Sequence, residues 1–108
     1  FAGSSIGERI KRAYAYGGVK REQPFVFEYD RQLVQGVIDL YFIEDGQLVI
    51  VDYKTDRVLR GRAGEDELRR RYSIQLDYYA MALSQITGLK VKEKVIYSFA
   101  LGRSLTVE

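Results

Sequence analysis

The alternation of apolar and polar residues predicts an order of helix, three strands, helix and strand along the chain. Ser4 or Ser5 is a candidate N-cap for the first helix, and Gly17-Gly18 ends it. The predicted elements are a helix over Phe1–Tyr16, strands over Arg21–Asp30, Leu33–Ile43 and Gln47–Thr55, a helix over Glu65–Thr87, a strand over Lys92–Leu101, and a short final strand from Arg103 to Val107. The crossover through the long helix favours parallel pairing of the strands that it joins. We therefore expect an α/β fold with a mixed sheet of about four to five strands and flanking helices.

The second and third predicted strands are joined by Asp45-Gly46, a dipeptide that supplies the positive φ angles of a two-residue hairpin loop. In that register Asp39 faces Asp52 across the two strands. Because side chains alternate between the faces of a strand, Lys54 lies on the same face as both aspartates. The sequence thus predicts two opposed carboxylates with an ammonium group beside them.

Opposed carboxylates destabilise a sheet and raise the pKa of one of the two groups. A divalent cation removes this conflict, since Mg²⁺ binds carboxylate oxygens, water and phosphate. Lys54 could then orient or activate a water molecule, or stabilise developing negative charge. The alternative is that Asp39 and Asp52 are solvated charges on an exposed face and that Lys54 neutralises one of them.

The third strand is nearly continuous in apolar residues from Leu48 to Val51, which is typical of a central strand covered on both faces. A charged pair at the end of such a strand favours the functional interpretation. The prediction depends on the turn, because a slip of one residue would place the two aspartates on opposite faces.

The second helix carries an apolar stripe with one polar exception. The stripe comprises Leu68, Tyr72, Leu76, Tyr79, Leu83 and Ile86. From spacing alone, Tyr72 and Tyr79 are core residues. Gln75 lies four residues before Tyr79 on the same side of the helix, and a buried amide needs hydrogen-bond partners.

Three further features each have two interpretations. The segment 57–71 holds six arginines, including Arg57, and its first half is a predicted loop containing Gly61 and Gly64. It either contacts a phosphate backbone or is a solvated connection, the commoner role of a charge run. Gly36 indicates a bulge or a close backbone approach. Glu22 either approaches the carboxylate pair or forms a structural ion pair with an arginine, and we favour the ion pair.

The amino-acid composition limits the kinds of catalytic and metal-binding site that the chain can form. The 108 residues suit one domain, with 46% hydrophobic and 30% charged residues and a net charge of +2. Without cysteine the chain has no disulfide and no thiolate-held zinc or iron–sulfur cluster. Without histidine it has no histidine triad or histidine-ligated zinc site. Catalysis would rest on carboxylates, lysine, tyrosine, hydroxyls or a metal. With no apolar run of transmembrane length and no signal-peptide pattern, we expect a cytoplasmic protein.

Four motifs together resemble a known family. They are Arg21-Glu22-x-Pro24-Phe25, Gly36-x-x-Asp39, Asp52-Tyr53-Lys54-Thr55 and Gln75-x-x-x-Tyr79. Each is weak alone, but their order and spacing resemble the RecB-like branch of the PD-(D/E)xK nucleases. The resemblance is closest to the C-terminal nuclease domains of AddA-type subunits of bacterial AddAB helicase–nucleases, and it covers nearly the whole chain.

The resemblance implies a restriction-endonuclease-like core that hydrolyses DNA with Mg²⁺ or Mn²⁺, as an exonuclease in double-strand-break repair and recombination. Asp39 and Asp52 would be metal ligands, the Tyr53 carbonyl a third contact, and Lys54 the catalytic lysine. Gln75 and Tyr79 match a motif that supports the site and contacts DNA. Glu22 also matches a family position.

The chain departs from the family pattern in one respect. RecB-like nucleases usually carry an upstream histidine that binds metal, and this chain has none. We expect that residues 1–108 are a single nuclease domain from a longer helicase–nuclease, with an AddB-like partner subunit, and that Phe1 falls after the histidine helix. Loss of that ligand could abolish activity. The alternative is a catalytically silent module that binds DNA or a partner subunit.

Overall fold

The computed structural model describes residues 3–108 as two helices and one five-stranded sheet. In chain order the elements are α1 (Ser5–Ala15), β1 (Val19–Tyr29), β2 (Gln32–Glu44), β3 (Gln47–Lys54), α2 (Arg62–Thr87), β4 (Val91–Ser98) and β5 (Arg103–Val107). The strands follow one another across the sheet in the order β1-β2-β3-β4-β5. Only β3 and β4 pair in parallel. The predicted mixed sheet, its parallel crossover and the central third strand are confirmed.

Alternate residues of β3 contact opposite layers of the core, because successive side chains point to opposite faces of a strand. Leu48 and Ile50 belong to the α2-side core, together with Leu76 and Leu83 of α2. The α1-side core on the other face comprises Ile6, Ile10, Ala13, Leu40, Phe42, Val49, Val51, Val95 and Tyr97. The strand that ends at the predicted site is therefore buried on both faces.

Helix α1 begins where the sequence predicts a cap. The Gly7 N–H donates to Ser4 Oγ over 3.1 Å, which satisfies one of the free N–H groups of the first turn. Arg9 then ties α1 to the sheet, with ion pairs of 2.7 Å to Glu44 and 2.9 Å to Glu93. Hydrogen bonds from Arg9 and Lys92 lower the pKa of Glu44 to about 2. The predicted helix also included Phe1, which lies outside the described residues.

Helix α2 begins three residues before its predicted start. Gly64, which was predicted to lie in a loop, is buried in the first helical turn. A Cβ atom at this position would overlap the carbonyl group of Leu59, so the chain can fold back against the helix only over a glycine. The helix ends at Gly88 in the left-handed conformation, as predicted. Ile86 is 56% exposed and does not belong to the buried stripe, so that assignment was wrong.

The strand β5 has its predicted bounds, and the ends of the other strands differ from the predicted ones by at most three residues, which is the usual uncertainty of strand termini. No helix within residues 3–108 is long and apolar enough to cross a membrane.

We predict that Gly64→Ala destabilises the protein, although alanine is normally the better helix former. The added methyl group must displace the Leu59 carbonyl, and overpacking of this kind costs about 1–3 kcal/mol. Urea denaturation measures the change in the free energy of unfolding. Gly3→Ala is the matched control, because a Cβ atom at Gly3 meets no other atom within 4 Å. A Gly64→Ala variant as stable as the unsubstituted protein would contradict the prediction.

Candidate active site

The hairpin register brings the two predicted aspartates to facing positions. Asp45 and Gly46 have φ angles of 54° and 73°, so both turn residues adopt the predicted positive φ. The β2–β3 pairs run from Glu44–Gln47 to Leu40–Val51. The next facing positions in this register are Asp39 and Asp52. The predicted register is therefore confirmed.

The backbone ladder between β2 and β3 ends one step before the aspartates. There the Tyr53 N–H donates to Asp39 Oδ2 over 2.9 Å. The carboxylate thus takes the place that a backbone carbonyl would have in a continued ladder. This bond holds Asp39 against β3 beside Asp52.

The side chains of β2 switch faces of the sheet at the position of Asp39. Ile38 and Tyr41 both contact the α2-side core, although residues three apart in a regular strand point to opposite faces. On β1, Glu22 has a φ of 48° and lies between the pairs Arg21–Leu40 and Gln23–Ile38. The irregularity is therefore at the level of Asp39. Pairing is continuous at Gly36, where a Cβ atom would lie 3.0 Å from Phe25 Cζ, so the close approach is confirmed and the bulge is not found there.

Asp52 is buried to an extent that excludes a solvated surface charge. It is 2% exposed, and its Oδ2 atom has no hydrogen-bond donor among residues 3–108. Lys54 Nζ lies 3.0 Å from this oxygen and forms an ion pair without hydrogen-bond angles. Burial raises the pKa of Asp52 to about 6, against the lowering effect of Lys54, and Asp39 adds to the increase. Lys54 does offset one carboxylate, but the exposed-face interpretation is wrong for Asp52, while Asp39 is half-buried.

Helix α2 supplies the other groups around Lys54. Lys54 Nζ donates to Gln75 Oε1 over 3.2 Å, and Gln75 Nε2 donates to Tyr79 Oη over 2.9 Å. These two bonds supply the hydrogen-bond partners that the Gln75 amide needs within the apolar stripe. Gln75 connects the lysine to the helix.

Tyr79 belongs both to the core and to the site. Its ring packs edge-on against Phe25 at a centroid distance of 5.4 Å. Burial, with the nearby charges of Asp52 and Asp39, raises the pKa of Tyr79 to about 12. The hydroxyl therefore stays protonated at neutral pH and available as a hydrogen-bond donor.

Two further residues reach the site without having been predicted to. The Tyr72 ring lies under the ammonium group of Lys54, with Nζ 3.9 Å from the ring centroid. Its hydroxyl donates to Asp56 Oδ2 over 2.6 Å. Tyr72 was interpreted as core alone, and Asp56 was not considered. The available signal was position, since Tyr72 lies three residues before Gln75 on one helix face and Asp56 two residues after Lys54.

Glu22 and Arg57 are not brought into contact with the carboxylate pair. Glu22 is exposed at the level of Asp39, and no salt bridge joins it to an arginine within residues 3–108, so its favoured role was wrong. Arg57 is exposed and lines a surface cavity with Leu59 and Arg70. Four of the six arginines of segment 57–71 pair with nearby acidic residues, and all four lie in helix α2 rather than in the loop. These are Arg62, Arg69, Arg70 and Arg71.

The available ligand atoms are of the type that a divalent cation binds, but they are few. The part of the chain that the structure describes contains no group of three or more aspartate, glutamate, histidine or cysteine side chains placed to hold a metal ion. The candidate ligands are the two carboxylates and a backbone carbonyl, all hard oxygen donors. The buried Asp52 oxygen without a hydrogen-bond donor is the kind of atom that a cation would satisfy.

Known proteins resemble this chain over most of its length. The model of the PD-(D/E)XK nuclease superfamily matches residues 5–105. The A-type subunit of the ATP-dependent helicase/nuclease of Lachnoclostridium phytofermentans is 52% identical over 79 residues, 73% of this chain and 6% of that protein. The same-named proteins of Acetivibrio thermocellus and a Thermoanaerobacter species are each 41% identical over 97% of this chain and 9% of their own length. The chain thus spans less than a tenth of the length of each of these relatives. From the match over residues 5–105, it belongs to the PD-(D/E)XK nuclease superfamily.

Proposed function

We propose that this chain is a RecB-like nuclease domain that hydrolyses DNA phosphodiester bonds with Mg²⁺ or Mn²⁺. The observation that carries the proposal is the convergence of Asp39 on the buried Asp52, with the Lys54 ammonium 3.0 Å from Asp52. We further propose that residues 1–108 are one domain of a longer helicase–nuclease that acts as an exonuclease in double-strand-break repair, beside an AddB-like subunit. The names of the relatives support this context.

The two carboxylates and the Tyr53 carbonyl would hold the cation at the end of β3. When bound, a divalent cation would offset the paired negative charges and polarise a phosphoryl oxygen. The protein supplies the preorganisation. Asp39 is fixed by the Tyr53 N–H at 2.9 Å, and Asp52 is fixed by a strand that is buried on both faces.

Lys54 is the catalytic lysine of the proposal. Its ammonium group can donate to an attacking water or stabilise charge that develops on the phosphate. Gln75 Oε1 accepts a hydrogen bond from Lys54 Nζ at 3.2 Å and so fixes the direction of the ammonium group. Tyr79, through its hydroxyl, and Arg57, on the adjoining loop, are proposed DNA contacts. Glu22 is proposed only as a residue facing the site from β1.

A second candidate is a catalytically silent module that binds DNA or a partner subunit. It is favoured by the small ligand set among residues 3–108, with Lys54 already paired to Asp52. The carboxylate pair, with Asp52 buried, argues for the enzyme, since a module without catalysis has no use for a destabilising charge pair.

We expect Mg²⁺- or Mn²⁺-dependent cleavage of single-stranded DNA that falls about 10²–10³-fold in Lys54→Met, because preorganised charge stabilisation is worth that much. Asp52→Asn should lose activity as well. Gel assays of a labelled oligonucleotide measure the rate. Lys94→Met is the matched control, because both lysine side chains are 17% exposed and ion-paired, and Lys94 pairs with Asp77 away from the carboxylates. Binding of DNA by the unsubstituted chain without cleavage would instead support the silent module.

Asp52→Asn should stabilise the metal-free protein at pH 7.5. The rise of the Asp52 pKa from 3.8 to about 6, which already includes the attraction of Lys54, corresponds to about 3 kcal/mol of unfavourable charge, and relaxation of the site around the charge reduces this gain. We expect a net increase of about 1–2 kcal/mol, or roughly 5 °C in Tm. Calorimetry in EDTA measures it. A lower Tm for the variant would show that the carboxylate is not strained in the absence of metal.

The stability gap between Asp52→Asn and the unsubstituted protein should also depend on pH. Because the folded-state pKa of Asp52 is raised, the folded protein binds the proton more tightly than the unfolded chain does. Stability therefore falls as the pH rises from about 4 to about 6, and it levels off above that range. Comparing the two proteins cancels the titration of other groups, such as Glu44. The gap should be near zero at pH 4 and largest at pH 7, and a constant gap would contradict this assignment.

Mg²⁺ should close the gap, because a cation bound only by the folded state adds stability that grows with its concentration. Titrating MgCl₂ during thermal unfolding should raise the Tm of the unsubstituted protein and leave that of Asp52→Asn nearly unchanged. Equal shifts in both proteins would indicate a general salt effect and no site between the carboxylates.

A further inference from the structure

We propose that Tyr72 is a positioning residue, which holds the Lys54 ammonium beside Asp52 and is itself anchored by Asp56. The proposal rests on the proposed function for its catalytic consequence. Its structural part, a coupling between the Tyr72 ring and Lys54, stands on the geometry alone.

Three groups surround the end of the Lys54 side chain. Asp52 Oδ2 lies 3.0 Å from Nζ, Gln75 Oε1 accepts its hydrogen bond at 3.2 Å, and the Tyr72 ring centroid lies 3.9 Å away. An ammonium group over the face of an aromatic ring is attracted by the negative face of the π system, and more strongly where water is largely excluded. Here the lysine side chain is mostly buried. The ring is therefore a third neighbour of the ammonium, beside its two polar partners.

The ring is fixed at its far end by charged residues outside the carboxylate pair. Tyr72 Oη donates to Asp56 Oδ2 over 2.6 Å, and Arg71 Nη1 donates to the same oxygen over 3.0 Å. The hydrogen bond to Asp56 raises the pKa of Tyr72 to about 12, so the hydroxyl remains the donor. Arg71 Nε donates in turn to Glu67 over 3.0 Å. A chain of contacts thus runs from Glu67 and Arg71 of helix α2 through Asp56 and the Tyr72 ring to Lys54.

Lysine needs such support more than most catalytic groups. Its four-carbon stem is flexible and its ammonium can form hydrogen bonds in many directions. A displacement of about 1 Å at a reacting group can cost about 100-fold in rate. A rigid ring held at both ends limits the positions that the ammonium can adopt without taking part in the chemistry.

The simpler alternative is that Tyr72 only packs against the α2-side core. The ring is partly buried and does contact that core. Tyr78 offers a direct comparison, since it is also partly buried on α2 and packs against the same core, with Phe27 and Tyr29 at centroid distances of 6.2 and 5.7 Å. Packing alone predicts similar behaviour for the two tyrosines.

A double-mutant cycle in EDTA tests the coupling without any need for activity. Tyr72→Leu and Lys54→Met are made singly and together, and urea denaturation gives the unfolding equilibrium constants. We expect the double variant to be more stable than additivity predicts by about fivefold in that constant. The same cycle with Tyr78→Leu in place of Tyr72→Leu should be additive. Additivity in both cycles would overturn the proposal.

Kinetics test the consequence for catalysis. Tyr72→Leu should lower kcat about 10- to 100-fold with KM changed less than about threefold, because it disturbs a group that acts in the transition state. Tyr72→Phe keeps the ring but loses the hydrogen bond to Asp56, so it should lower kcat only about fivefold, as Asp56→Ala does. Tyr78→Leu should leave kcat unchanged. Equal effects of Tyr72→Leu and Tyr78→Leu on kcat would overturn the positioning role.

Asp56→Ala keeps the proposal testable if Tyr72→Leu does not fold. Asp56 lies outside the helices and strands, and its replacement by alanine removes the hydrogen-bond acceptor of Tyr72. This variant should lower kcat about fivefold. Asp56→Asn can still accept the tyrosine hydrogen bond and should have a smaller effect. Equal kcat in both Asp56 variants and the unsubstituted protein would contradict the anchor. If the unsubstituted protein binds but does not cleave DNA, the proposed function fails, while the stability cycle still decides the coupling.

Discussion

The repulsion between two carboxylates, one of them almost fully buried, is the constraint on which the rest of this structure depends. Asp52 is almost inaccessible to water, and both burial and Asp39 oppose its ionisation. Burying charge is unfavourable even with a partner, so the geometry persists only because the surrounding structure imposes it. The imposing element is β3, whose residues Leu48 to Val51 are fully buried on both faces of the sheet. A strand buried on both faces thus carries an unfavourable charge pair at its end.

At the end of β3, hydrogen bonds to both neighbouring strands hold the carboxylate pair in place. On the β2 side the Tyr53 N–H bonds to the Asp39 side chain, and on the β4 side the Phe99 N–H donates to the Lys54 carbonyl over 3.0 Å. Backbone groups at the strand end are therefore satisfied on both sides, as buried peptide groups require. Because one partner is a carboxylate, the position of Asp39 is locked to the backbone of the strand that carries Asp52 and Lys54.

The sequence predicted those parts of the site that depend on strand periodicity, and missed those that depend on how separate elements pack. The Asp45-Gly46 turn determined the register, and the apolar run of β3 determined its central position. Nothing in local pattern indicated that Tyr72 lies under Lys54, since an aromatic residue on an apolar stripe is normally core. Gly64 was taken for a loop residue because its role depends on the Leu59 carbonyl, a tertiary contact. Ile86 matched the helical period, but it is exposed and is not part of the α2-side core.

Helix α2 shows why packing and chemistry cannot be adjusted separately in this fold. Leu76 and Leu83 bury the helix against the sheet, and Tyr72, Gln75 and Tyr79 share that side because residues three and four apart are neighbours on a helix. A shift of the helix on the sheet would move Tyr72, Gln75 and Tyr79 together relative to Lys54. The apolar residues of this face therefore act on the site through the position of the helix, although they touch none of the charged atoms. Substitutions in the α2-side core should accordingly be judged by the geometry around the lysine as well as by stability.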